Sequence, residues 1–231
     1  MYTHAEIAPG IYQFRFFDAP RGIGFNQYLV AAEQPALVST GAVGSFEALW
    51  QALGQVLDPT RLRYLVVPHF ESDEAGALAA FVGRCPEARP VCAAAAGRQI
   101  TGFGLSADPL VVKEGERLDL GSHSLRFVLV PWEMHLWDGL VAFEERHGVL
   151  FSSDLFGQRL DATSAPPADL LAAATPMTVG SVPMRELRRE VYGKLAALAI
   201  RQVAPGHGFA FAPPAGMVEL FARLEAAPMT S

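Results

Sequence analysis

Four short apolar runs in this 231-residue chain each stop just before a side chain that can bind a metal. Val66-Val67-Pro68 leads into His69-Phe70-Glu71-Ser72-Asp73-Glu74, and Phe127-Val128-Leu129-Val130 leads into Pro131-Trp132-Glu133-Met134-His135-Leu136-Trp137-Asp138. Gly148-Val149-Leu150-Phe151 leads into Ser152-Ser153-Asp154, and Gln202-Val203-Ala204 into Pro205-Gly206-His207-Gly208. Short β-rich runs bounded by proline or glycine read as strands. Ligand sites in α/β folds lie beyond the carboxyl ends of strands, where loops converge. The pattern therefore asks for a sheet-based fold with one chemically active rim. Any one of these positions taken alone is commonly a satisfied loop histidine or a turn aspartate. Four of them together favour a site.

The segments between them supply the rest of the fold. Residues 10–17 alternate, and residues 27–30 and 36–39 are short and apolar with Gly or Pro between them, so the first third reads as strands. Ser45 stands where it would cap a helix over residues 46–57, with Phe46, Leu49, Trp50, Leu53 and Leu57 at helical spacing. A buried strand over residues 62–67, halted by Pro68, follows, and residues 75–82 read as the next helix. Residues 110–130 hold three short strands with turns at Glu114-Gly115 and Gly121-Ser122, extending the sheet antiparallel. Residues 139–145 and 148–151 make a hairpin across Arg146-His147-Gly148, residues 185–199 a long amphipathic helix, and another strand and helix close the chain. Mixed strands with interspersed helices imply a layered α/β domain, two sheets packed together with helices outside. No repeat, low-complexity linker or charge run marks a boundary, so one domain over residues 1–231 is expected.

Composition narrows the function. Hydrophobic residues make up 51% and charged residues 18%, enough for a continuous core. A net charge of −6 without a clustered basic face argues against nucleic acid as a partner. No run of 18 apolar residues occurs, and the start lacks a basic region followed by an apolar one, so no membrane partner and a cytoplasmic location are expected. The pair in Cys85-Pro-Glu-Ala-Arg-Pro-Val-Cys92 matches no metal or redox spacing and reads as two small, part-buried apolar side chains.

The densest polar cluster is His69-Phe70-Glu71-Ser72-Asp73-Glu74. In an extended segment His69 and Glu71 point the same way, so they can share one metal. Asp73 stands where the next helix begins and either caps it or turns inward toward a second metal. Three imidazoles and three carboxylates, from His69, His135, His207, Glu71, Asp73 and Asp154, bring about three negative charges to two divalent ions. About one positive charge is left over to attract an exogenous ligand such as hydroxide or dioxygen. Asp154 is placed to bridge, since it arrives from a separate strand and its two oxygens can span ions ~3.5–4 Å apart.

These motifs resemble the metallo-β-lactamase domain of the flavodiiron proteins and of their flavodoxin-free relatives, the oxygen-binding diiron proteins. The family's H-x-E-x-D signature is matched by His69-Phe70-Glu71-Ser72-Asp73, its M-H-x-x-D segment by Met134-His135-Leu136-Trp137-Asp138, its S-x-D-x-F-G segment by Ser152-Ser153-Asp154-Leu155-Phe156-Gly157, and its closing P-G-H-G by Pro205-Gly206-His207-Gly208. The resemblance spans nearly the whole chain. It implies a four-layer αββα sandwich, with one iron on His69, Glu71 and His135, the other on Asp73 and His207, and Asp154 bridging. It also implies binding or reduction of dioxygen or nitric oxide with electrons from an external partner such as a flavoprotein or rubredoxin-like protein. Two iron ions are the expected cofactor, with zinc or manganese as alternatives, and a homodimer is an assembly the reading allows.

Three departures from the family pattern stand out. Glu74 occupies the place of a histidine, Ser39-Thr40-Gly41 the place of an early-strand aspartate, and only 24 residues follow His207, so no flavodoxin domain and no built-in flavin are expected. Glu74 is expected to turn away from the metals, bonding a ligand histidine or an arginine, and Asp138 to stand behind the ligands. Two rival readings share the fold. A dinuclear zinc hydrolase would attack an ester, thioester or amide with metal-bound hydroxide, but its H-x-H-x-D-H pattern has histidines where this chain has Glu71 and Glu74. A diiron oxygen sensor would signal to a partner without turnover. His4 at the terminus and His123 and His147 in turns are expected to be solvated, and Trp132 and Trp137 to belong to the core.

Overall fold

The computed structural model describes residues 1–106, 108–130, 138–160, 166–182 and 184–227. The alternating segments of the first third pair as antiparallel neighbours: β1 (Thr3–Ala8), β2 (Ile11–Asp18), β3 (Ile23–Val30) and β4 (Ala36–Val38). Three strands then join parallel to β4 and to one another: β5 (Tyr64–Val67), β6 (Arg89–Cys92) and β7 (Leu110–Val111). Parallel neighbours need crossovers. They are α1 (Phe46–Leu53) before β5, α2 (Ser72–Ala75) and α3 (Leu78–Arg84) before β6, and α4 (Ala94–Gly102) before β7. The result is a seven-stranded sheet.

A second sheet of five strands follows in the order β12-β11-β10-β9-β8. β8 (Arg117–Asp119), β9 (Ser124–Leu129), β10 (Leu140–Glu144) and β11 (Val149–Ser153) are antiparallel in turn, and β12 (Gln202–Pro205) lies parallel to β11. Its crossover contains α5 (Leu170–Ser181) and α6 (Arg185–Ala196), and α7 (Met217–Ala226) follows. One apolar cluster, including Tyr28, Val66, Phe127 and Phe151, fills the space between the sheets. A second covers the outer face of the first sheet with residues of α1, α3 and α4, and a third covers the outer face of the second sheet with residues of α5, α6 and α7. The layers are therefore helix, sheet, sheet, helix, the αββα sandwich that the resemblance implies.

Several elements depart from the sequence reading. The first helix stops at Leu53 rather than residue 57, and Ser45 starts it without a side-chain cap, bonding the Ala42 carbonyl instead. The helix expected over residues 75–82 is two short pieces, because Ala77 N donates to Gly41 O and so leaves the helical ladder. Gly76 sits at that break, and a Cβ on it would lie 2.2 Å from Ser72 O and 3.1 Å from Ala42 Cα. β7 joins the first sheet in parallel and only β8 and β9 extend the second, so residues 110–130 divide between the sheets. Sequence reading did not place β1, β6, α4 or α5. α4 is rich in alanine and glycine with Ile100 as its one large buried residue, and the α5 segment, which has Pro176 within it, carries no clear apolar stripe. The two cysteines are buried and unbridged, as expected. Among the described residues no helix is long and apolar enough to cross a membrane.

Candidate metal centre

Three strand ends and one helix start meet at a single cavity of about 1000 Å³. β5 ends at Val67 and delivers His69 and Glu71, and α2 opens with Ser72 and carries Asp73 and Glu74. β11 ends at Ser153 and delivers Asp154, and β12 ends at Pro205 and delivers His207. Glu71, Asp73, Asp154 and His207 line the cavity together with Ile23, Phe25 and Met177. His207 Nε2 lies 3.2 Å from Asp154 Oδ1 and 3.5 Å from Asp73 Oδ2, and His69 Nε2 lies 3.5 Å from Glu71 Oε2.

Both imidazoles are aimed from behind. His69 Nδ1 is 2.7 Å from Asp138 Oδ1 on the buried residue that precedes β10, and His207 Nδ1 is 2.9 Å from Gly24 O on β3. With Nδ1 donating in each case, Nε2 is the ring nitrogen left to face the carboxylates and, once its proton is lost, to bind a metal, which is how metal-binding histidines are held. The His207 loop belongs to the second sheet and is fastened to the first. Asn26 Nδ2 donates to Pro205 O at 2.8 Å and Gly208 O at 2.9 Å, Asn26 N to Gly206 O at 2.8 Å, and Tyr28 Oη to Pro205 O at 2.6 Å. Gly208 has φ +86°, and a Cβ there would stand 2.5 Å from Gln158 Oε1, so only glycine fits the turn beyond His207. Asp154 sits between Ser153 at φ 54° and Phe156 at φ 63°, left-handed conformations that cost energy outside glycine. Ser152 Oγ, donating to Leu155 O at 2.7 Å, and Thr178 Oγ1, accepting from Phe156 N at 2.8 Å, hold this corner in place.

The charges are crowded. Burial raises the Asp73 carboxyl; His207 pulls it down, while Asp154 and Glu71 push it further up. Burial also raises Glu74 well above the carboxylate range, reinforced by Asp154 and Asp73. Burial opposes protonation of His69, but hydrogen bonds to Asp138 and Glu71 and the charge of Glu74 outweigh it and lift the ring to about 10. His207 is raised likewise, with Asp154 and Asp73 overcoming its burial. A set of acids reluctant to ionise beside bases reluctant to lose protons is a set short of positive charge. Glu74 Oε2 is moreover buried without a hydrogen-bond partner. Two imidazole nitrogens and several carboxylate oxygens suit divalent iron, manganese or zinc, so the residues fit a metal centre.

Five of the six ligands expected from sequence, His69, Glu71, Asp73, Asp154 and His207, are brought together, and His135 lies outside the described residues along with Trp132 and Trp137. Asp138 stands behind His69 as expected. Glu74 is fully enclosed and accepts from Ser153 Oγ at 2.5 Å, where a histidine or arginine was expected. The threonine in Ser39-Thr40-Gly41 bonds the Glu74 carbonyl through both N and Oγ1, at 2.6 and 2.9 Å. His4 is exposed, but His123 is buried and His147 half-buried, contrary to the expectation that both are solvated. Sequence reading missed Asn26, Tyr28, Ser153 and Gln158. Only Asn26-Gln27, two amides inside the apolar run of β3, carried a visible signal.

A family model described as ODP family beta lactamase matches residues 23–208. A nitric oxide reductase of Moorella thermoacetica is 32% identical over 96% of this chain and 61% of its own length. A coenzyme F420H(2) oxidase of Methanothermobacter marburgensis is 29% identical over 87% of this chain and 54% of its own length. Rubredoxin oxygen:oxidoreductase from Desulfovibrio gigas superposes with a TM-score of 0.86 at 25% identity, over 96% of this chain and 61% of that one. A flavo di-iron protein from Thermotoga maritima has the same fold, with a TM-score of 0.83 at 24% identity. The chain thus spans about three-fifths of the length of these relatives.

Proposed function

The chain belongs to the family described as ODP family beta lactamase, and on that premise we propose that it is a non-haem diiron protein that reduces dioxygen or nitric oxide with electrons from an external donor. The observation that carries the proposal is the donor set itself. Carboxylates make up at least half of the six proposed donors, and Glu71 stands where a zinc hydrolase of this fold would place a histidine. Hard oxygen donors mixed with imidazole favour iron or manganese over zinc. The names of the relatives, a nitric oxide reductase, a coenzyme F420H(2) oxidase and a rubredoxin-oxygen oxidoreductase, support the same reaction class.

In this reading His69 and Glu71, with His135, would hold one iron, Asp73 and His207 would hold the other, and Asp154 would be shared between them. A bound pair of irons would offer the binding position for a diatomic gas and relay to it the electrons that the external donor supplies. The remaining work falls to the chain. Asp138 and Gly24 O keep the two rings in the tautomer that offers Nε2. Ile23, Phe25 and Met177 give the cavity an apolar wall that suits a small uncharged gas. Reduction of either gas consumes protons, and the partly exposed Glu71 and Asp73 leave the cavity open to solvent water that can deliver them. Arg21, Arg159 and the exposed Val43 at the cavity rim give an electron donor such as a flavoprotein or rubredoxin-like protein a surface to approach.

The test is consumption of nitric oxide and dioxygen by iron-loaded protein supplied with a reduced flavoprotein. Turnover in the wild type, lost in Asp154→Ala, is the expected result. Thioesterase or lactamase activity in a zinc form with no gas consumption would replace the proposal by the hydrolase reading. Reversible dioxygen binding without turnover would replace it by a sensor.

A further inference from the structure

At the opposite end of β10 and β11 from Asp154, a second group of metal-type side chains meets. Glu144, the last residue of β10, is fully buried; His123 is buried in the turn between β8 and β9; His147 lies half-buried in the hairpin turn before β11. One donor atom from each of the three lies within 4.8 Å of those of the other two. His123 Nδ1 is hydrogen-bonded to Glu144 Oε1 at 3.0 Å, a proton that a bound metal would replace, and His147 Nδ1 is 3.3 Å from Glu144 Oε2. A tetrahedral ion with bonds of about 2.0–2.1 Å holds its donors roughly 3.4 Å apart, so both spacings are those of neighbouring ligands.

The group is also held in place. Glu144 accepts from the turn's own backbone, Oε1 from Arg146 N at 3.3 Å and Oε2 from His147 N at 2.8 Å, which fixes the carboxylate. Gly10, at φ +74°, passes over the His123 ring so closely that a Cβ there would lie 2.8 Å from Nε2. The Arg146 guanidinium is turned elsewhere, with Nη1 donating to Ser122 O at 3.1 Å. Among the described residues no lysine or arginine pairs with Glu144, so the imidazoles alone stand against its charge. His147 Nδ1 is buried, yet it makes no hydrogen bond despite its closeness to Glu144.

We propose that His123, Glu144 and His147 form a separate mononuclear site for a divalent transition-metal ion of the zinc class. Two imidazoles and one carboxylate are a common zinc donor set. The partial exposure of His147 leaves the remaining position to water. The ion would tie the β10–β11 turn to the β8–β9 turn, far from the cavity that holds Asp154 and His207.

The test uses metal-stripped full chain titrated with zinc, then with cobalt as a spectroscopic substitute. Wild type is expected to retain one zinc more than His147→Ala. Asp154→Ala, which disrupts the cavity, is expected to keep the tetrahedral cobalt bands that His147→Ala loses. Equal zinc stoichiometry and identical cobalt spectra in wild type and His147→Ala would overturn the proposal. If circular dichroism shows His147→Ala unfolded, His147→Gln is read against the same two outcomes. Iron bound in the cavity is expected to be unchanged in either His147 variant, so this result is independent of the diiron reading.

Discussion

His69 shows how one side chain sets the conditions under which the centre fills. Its ring is raised from 6.5 to about 10 in the folded, metal-free chain, so its proton adds stability that is complete below 6.5 and lost as pH rises through about 10. The raised carboxyls of Asp73 and Glu74 act in the same direction, since an acid more reluctant to ionise when folded destabilises the fold once pH passes its ordinary range. The melting temperature of metal-free protein is therefore expected to fall from pH 6.5 upward, while the increase produced by added iron grows, because the metal displaces those protons. Thermal melts with and without iron check this, and Glu74→Gln should flatten the metal-free curve while leaving the metal count unchanged. A metal-induced increase that shrinks with pH would contradict it. Asp138→Ala removes the acceptor that fixes the His69 tautomer and should weaken metal binding about 10–100-fold by chelator competition, with Asp138→Asn recovering part.

At the level of elements, the centre depends on loops that one sheet owns and the other restrains. The Pro205–Gly208 turn ends β12 in the second sheet, and β3 of the first sheet holds it through Asn26 and Tyr28. Asn26→Ala removes one donor each from Gly208 O and Pro205 O, leaving the longer Gln13 bond and the Tyr28 bond, and is expected to lower stability by about 1–3 kcal/mol. It should also weaken metal binding by loosening His207, and an unchanged affinity in calorimetry would show that the β12 loop holds its shape alone. The strand ends that carry the ligands were legible in sequence because each is an apolar run that stops abruptly. The braces were not, since Asn26, Ser153 and Gln158 act across more than fifty residues of chain, a pairing no local pattern records. Helix ends were misjudged for a related reason. Ala77 N bonds to Gly41 O, a contact outside the helix, and that decides where α2 stops.

Over the whole molecule, the two sheets enclose a shared apolar layer, and both contribute to the rim of the cavity. Motif order made the four layers an expectation, but periodicity alone could not divide residues 110–130 between two sheets, because β7 is only Leu110–Val111. The same architecture explains why His69 and Glu71 from the first sheet can face Asp154 and His207 from the second, which a centre of two metals requires. Mössbauer spectroscopy of iron-loaded protein tests that arrangement most directly. Two irons held ~3.5–4 Å apart by a shared carboxylate are magnetically coupled. The spectrum is expected to show coupled iron pairs in the wild type and to lose the coupling in Asp154→Ala. Magnetically isolated iron in the wild type, or a chain that takes up zinc and excludes iron, would contradict the account.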